Sequence, residues 1–426
     1  MERRTKALAA IAALGVAALT VTACSGSSND SGGQASEDPT EVTGTLRVLT
    51  PSYPASTEGQ AAFDEVVAAF NEVYPNVEIE PDFATFGTLN EKISTSLASG
   101  QPYDVLVTGI GWVPPFASQG AFLDLAEFGV DVDTVSEETT PAVVPAVTYD
   151  ETVYAWPLVM GAKPVALSKS AFEEAGLDPN SPPESLDELM DLAEQLTIRD
   201  DSGKLVRAGF DFWGIGYRHP FTALLAATGP DLYENGAPGF DGPEGAEALD
   251  WMVEAVNGTK ITDFGLQSAS GAPLLYSGEA AMGMVGGYIN CEEVGQEVCD
   301  DLVFFNLKDD REVMFTGGQL ASIGAGTDLP EAAWAFIEAM STPEAEAAMA
   351  SMNFAVPAVA GSENADAVTN NPASTFVYAN LDKVVFEGGA ANWLDLRDTF
   401  NTELEKALLE ESSTADVLAY LAAESE

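Results

Sequence analysis

Histidine is almost absent from this sequence, with His219 alone, and cysteine is rare, with three. So few imidazoles and thiols exclude the His-rich and Cys-rich sets that hold zinc, and a Ser-His-Asp triad would have to use His219. Bases are scarce as well: Lys+Arg 17 stand against Asp+Glu 68, a formal charge of -51 over 426 residues. A phosphate backbone is gripped by cations that release its counterions, so this balance excludes nucleic acid as a partner. No G-x-S-x-G elbow, Walker A loop, H-E-x-x-H helix or G-x-G-x-x-G turn occurs, which removes the signatures of serine hydrolases, P-loop nucleotidases, zinc proteases and dinucleotide enzymes. No metal and no organic cofactor is expected. Carboxylates are the one catalytic group in supply, so an exported glycoside hydrolase stays open as an alternative.

Apolar residues are plentiful, at 46% hydrophobic and 9% aromatic, enough for a folded chain of two to three domains at about 100 to 200 residues each. The first segment is an address. Arg3, Arg4 and Lys6 precede an apolar run from Ala7 to Ala23 that is short for a membrane span. It ends in V-T-A-C, Val21 to Cys24, which resembles a bacterial lipobox. Residues 1–23 are therefore read as a lipoprotein signal peptide, with Cys24 as the lipidated new N-terminus and an anchor on the extracytoplasmic face of the cell membrane. Residues 24–43 are Ser- and Gly-rich without apolar periodicity and read as a flexible tether. In an oxidising compartment Cys291 and Cys299, close in sequence, are expected to form a local disulfide with a structural role.

Beyond the tether, strand and helix patterns alternate. Thr45–Thr50 reads as a strand, and Phe63, Val66, Val67, Phe70 and Val73 then recur at helical spacing before Pro75. Tyr103–Gly109 with Ile110 reads as a buried strand. Further strands are expected near Pro164–Ser168, Ala208–Phe212, Ala281–Ile289, Leu302–Leu307 and Gln319–Ile323. Ser185 and Glu188 form a capping box opening a helix whose Leu186, Leu189, Met190, Ala193 and Leu196 share one face. Helices are also expected over Pro330–Met340, with Trp334 in the core, and over Leu394–Glu410 and Ala415–Ala423. Such alternation implies an α/β fold with a largely parallel sheet.

In this order and spacing, F-D-E-V-V-A-A-F-N-E-V-Y-P-N-V-E-I-E, S-G-Q-P-Y-D-V-L-V, F-E-E-A-G-L, Y-S-G-E-A-A-M-G-M-V-G and E-A-A-W-A-F-I-E-A-M-S-T-P-E-A behind a lipobox resemble an extracellular solute-binding lipoprotein of a carbohydrate ABC importer, of the maltose-binding-protein-like family. One departure is the stretch A-L-S-K-S-A-F, with Ser168 and Lys169 where members often carry a Tyr-Asn-Lys segment. The resemblance implies a two-lobed, Venus-flytrap fold with a hinge of crossing strands: residues 44–159 plus 317–355 in the N-terminal lobe, 160–316 plus 356–426 in the C-terminal lobe. It also implies a non-enzymatic, monomeric receptor that hands a sugar, expected to be an oligosaccharide, to membrane permease subunits. A polyol or polyamine is the alternative ligand.

A sugar offers apolar C–H faces and a rim of hydroxyls, so its site needs aromatic plates and polar edge groups, placed beyond the carboxyl ends of strands. The candidate plates are Tyr53, Trp112, Trp156, Trp213, Tyr217, Tyr288 and Trp393; the candidate edge groups are Glu58, Ser52, Asp211 and Asn392. Gly317 and Gly318 are expected where backbone approaches the ligand. His219 is assigned to finishing a loop.

Overall fold

The computed structural model describes residues 38–425, except 55, 213, 215, 235 and 363–365. The signal peptide, Cys24 and most of the tether lie outside the described residues. Numbering only the longer elements, the strands are β1 (Gly44–Thr50), β2 (Val77–Phe83), β3 (Val105–Gly109), β4 (Trp156–Lys163), β5 (Val165–Ser168), β6 (Leu205–Asp211), β7 (Ala280–Met284), β8 (Leu302–Phe305) and β9 (Glu312–Ile323). The helices that frame the site are α1 (Thr57–Val73), α2 (Leu186–Leu196), α3 (Arg218–Ala227), α4 (Pro330–Met340), α5 (Pro343–Met352) and α6 (Trp393–Leu408).

Local rules place many of them. Ser56 caps α1 by accepting a bond from Gly59 N at 3.0 Å, and Phe63, Val66 and Phe70 turn inward. Ser185 accepts from Glu188 N at 3.1 Å while Glu188 returns to Glu184 N at 2.9 Å, so the capping box of α2 forms one residue off its usual reciprocal partner. All five apolar residues expected on its face are buried, each worth roughly 1.5–3 kcal/mol for the larger side chains.

Two sheets organise the α/β body. The first runs 356–357, β4, β9, β3, β1, β2; the second runs β8, β5, β7, β6, 198–199. The largely parallel sheet expected from alternation is corrected here: β1 is parallel to β2 and β3, but β9 is antiparallel to both β3 and β4, and β5 is antiparallel to β7 and β8. The reason lies in β4 and β9. Trp156–Lys163 reads as a continuous apolar run interrupted by Pro157, and β9 extends back to Glu312 through Gly317 and Gly318, which look like strand breakers in isolation. Strands buried on both faces carry no alternation to reveal them. The sheet absorbs Pro157, which has no N–H to donate, with a register shift between Gln319 and Leu320, opposite Val159 and Pro157. The chain leaves the first sheet at Lys163 and enters the second at Val165, one proline later.

Candidate functional site between the two sheets

The crossing strands form a floor. Along β4 and β9 nearly every residue is buried, yet Gly161, Lys163, Gly317 and Gly318 are reached by solvent. Gly317 pairs with Gly161 in register, and a Cβ built on Gly317 would meet nothing within 4 Å. Gly318 is tighter: its Cβ would fall 2.6 Å from Val159 O. The paired glycines thus leave an open strip of backbone where a ligand can approach peptide groups directly. Gly161 and Lys163 were missed by sequence reasoning, because a lone glycine and lysine in an apolar run carry no motif. Their signal is the register with Gly317 and Phe315, which exists only once β9 is paired.

The N-terminal wall holds its aromatics inside. Tyr53 is 1% exposed and sits edge-on to Phe63 at 5.2 Å. Its hydroxyl has no hydrogen-bond partner, and burial followed by the charge of Glu346 pushes its pKa up. Trp156, 5% exposed, is edge-on to Trp334 at 5.9 Å; Trp334 also stacks on Phe128. Trp112, 3% exposed, packs between Phe86 and Phe116. Ser52 is buried and its carbonyl accepts from Asn353 Nδ2, whose Oδ1 in turn accepts from Gln319 Nε2. Glu58 is exposed in the first turn of α1.

The C-terminal wall is open. A cavity of about 360 Å³ lies beyond the carboxyl end of β6, lined by Asp211, Phe212, Tyr217, Phe264, Gln267 and Glu405 among others. Tyr217 stacks on Phe264 at 5.5 Å and its hydroxyl accepts from Gly265 N at 2.8 Å; Phe212 meets Tyr217 edge-on. Phe264 was not foreseen, since it follows no strand. The Asp211 carboxylate accepts from Leu274 N, yet burial raises its pKa to about 6. Trp213 lies outside the described residues. Tyr288 is half-buried two residues past Gly286, whose Cβ would fall 3.0 Å from Phe354. A disulfide joins Cys291 and Cys299 nearby.

Where the walls meet, charge gathers. Arg218, first residue of α3, donates through Nε to Glu387 Oε2 at 2.6 Å, both nearly buried. His219 Nε2 is 3.6 Å from the same oxygen and its ring stacks on Phe315 of β9 at 4.3 Å. Burial, then Lys163 and Arg218, hold His219 well below the ordinary imidazole range, so it is neutral. His219 therefore belongs to α3 and the floor, where a loop was expected. From α6, Arg397 lies over the ring of Trp112 at 4.8 Å, bridging the walls. Trp393 is 0% exposed, and a Cβ on Gly111 would fall 3.2 Å from its indole nitrogen, which has no hydrogen-bond partner. Asn392 donates to Glu424 O and begins α6 without capping it. The structure thus brings together Trp112, Trp393, Gly317 and Gly318 near the junction, sets Tyr217 and Asp211 on the C-terminal wall, and keeps Tyr53 and Trp156 in the core. Among the described residues no cluster of three or more potential metal ligands occurs, and no helix is long and apolar enough to cross a membrane.

Known proteins share this architecture. The diacetylchitobiose binding protein DasA of Streptomyces coelicolor is 24% identical over 369 residues, 82% of this chain and 81% of DasA. A putative binding protein of Brucella abortus is 24% identical over 216 residues, and the match spans only 48% of either chain, about half its length. Maltose-bound MalE3 of T. maritima superposes with a TM-score of 0.72 at 20% identity, covering 90% of this chain and 99% of that one. The structural likeness establishes the two-lobed, Venus-flytrap fold. The bacterial extracellular solute-binding protein model matches residues 53–347, and the chain belongs to that family, whose members bind solutes without transforming them.

Proposed function

We propose that the protein is a lipid-anchored receptor that captures a saccharide between its lobes and presents it to the permease of an ABC importer. The observation that carries this reading is the combination of an open glycine floor, Gly161 paired with Gly317, and an aromatic cavity where Tyr217 stacks on Phe264. Bare backbone supplies donors and acceptors for a hydroxyl rim, and an exposed ring supplies a plate for a sugar face. Relatives support the ligand class: DasA is named for a disaccharide and MalE3 was captured with maltose. The anchor rests on V-T-A-C ending at Cys24, and the division into N- and C-terminal lobes rests on the passage of the chain through Pro164. Tyr217, Tyr288, Gly317 and Gly318 are proposed to face the ligand.

Ligand closes such a receptor by contacting both walls, so its affinity for the closed form sets the population. The test is ligand-dependent melting of the purified protein with mono- and oligosaccharides, polyols and polyamines. A saturable rise in Tm with saccharides and no product formed is the expected result, because whatever binds only the folded state stabilises it. A rise with polyamines alone would overturn the saccharide reading.

A further inference from the structure

Lys163, Arg218 and Arg397 are three of only 17 basic residues in a chain with 68 acids, yet all three stand where the walls meet. Acids in the Tyr217 cavity need no explanation in such a composition; this gathering of basic residues does, two of them guanidinium ions and the third, Lys163, lowered by burial to about 7, where an arriving anion favours its charged form. Glu387 is the carboxylate that Arg218 and His219 face at close range. It engages Arg218 Nε directly, and the next carboxylate near Arg397 is the exposed Asp398, at 3.9 Å.

The backbone adds to the same polarity. Helix α3, ten residues long, and α6, sixteen, both begin here; Arg218 N of α3 donates to Asn401 Oδ1 of α6 at 3.1 Å, while Asn392 leaves the start of α6 without a side-chain cap. Uncapped helix starts carry partial positive charge and favour anions. Trp393, in the first turn of α6, is fully buried with an indole N–H that lacks an acceptor. The junction therefore gathers positive charge beside a floor that solvent reaches at Lys163 and Gly317.

Resting on the reading of the protein as a saccharide receptor, we infer that its preferred ligand is an acidic saccharide, bearing a carboxylate or a phosphate that meets Arg397, Arg218 and Lys163 at the lobe junction. A planar guanidinium grips either anion through paired hydrogen bonds. In the structure Arg397 rests on the buried Trp112 ring, so an arriving acidic sugar finds its cation already held in place. In a surface otherwise so negative, this focus also makes discrimination by charge effective, since acidic solutes are repelled everywhere else.

Isothermal titration of the full chain with size-matched neutral, uronate-bearing and phosphorylated oligosaccharides, at low and high salt, tests this. At least one acidic class should bind tenfold or more tighter than its neutral match at low salt, the gap narrowing as salt rises. Uronate against phosphate separates the two sources of charge. Arg397→Gln should remove most of that gap, and Arg397→Lys should restore part of it. Neutral saccharides binding as tightly as both acidic classes would overturn the inference while leaving the saccharide receptor intact. Failure of every saccharide to bind would overturn both.

Discussion

The N-terminal and C-terminal walls each carry aromatic residues just past strand ends, yet they use them oppositely. Tyr53 and Trp112, after β1 and β3, are sealed among Phe63, Phe86 and Phe116, while Phe212 and Tyr217, after β6, line an open cavity with Phe264. The difference comes from the segment behind each strand. Behind β1, α1 presents Phe63 directly to Tyr53. Behind β6, the described residues that line the cavity include Gly214 and Gly216, and the facing loop holds Gly265 and Gly271, so at these four positions no side chain covers the rings. A strand end positions an aromatic residue; the neighbouring element decides whether it is a plate or a core residue.

The ion pair that ties the walls to the floor should give the largest effect. Arg218→Met leaves Glu387 buried without its partner and should cost about 3–5 kcal/mol, read as a shift of the denaturant midpoint; a change below about 1 kcal/mol would mean the pair behaves as a surface contact. Next comes the contrast between walls itself. Tyr53→Ala should cost about 3–5 kcal/mol of stability, as for any large buried ring, whereas Tyr217→Ala should cost about 1–2 kcal/mol and mainly weaken ligand binding. If the two variants lose equal stability, the division into core and plate fails.

The Cys291–Cys299 disulfide closes a short loop beside Tyr288. Replacing both cysteines with serine should lower stability by about 2.5 kcal/mol in the loop-entropy account, measured by the same denaturation, with no change in the Tyr217 cavity. The smallest effect runs in the stabilising direction. Asp211 titrates near 6 in the fold and near 3.8 unfolded, so the folded state holds the proton more tightly. Stability should therefore fall as pH rises from about 4 to about 6 and stay lowered above. Asp211→Asn should flatten that slope and raise stability at neutral pH by about 1–2 kcal/mol; a slope identical to that of the parent would show that solvent reaches the carboxylate freely.

Much of the framework was legible because it depends on neighbours in sequence. Helix α2 followed from Ser185 and five apolar residues at helical spacing, whereas Trp334, expected in the core, packs half-buried against Trp156 and Phe128 at its edge. The floor was legible only in part. Gly317 and Gly318 stood out as a pair, but Gly161 and Lys163 became visible only through registry across β4 and β9. Arg397, Arg218 and Glu387 were silent, since their roles arise from partners 169 or more positions away, as in the Arg218–Glu387 bond, or from a ring on the other wall.

The sequence by itself determined the acidic balance, the helix starts and the family, because these are set by composition, short-range periodicity and ordered motifs. Only the tertiary structure decided which strands run antiparallel, which aromatics stay open, and where three scarce basic residues converge. Those outcomes depend on pairing and packing between distant segments, and burial is a property of the surroundings that no residue type carries alone.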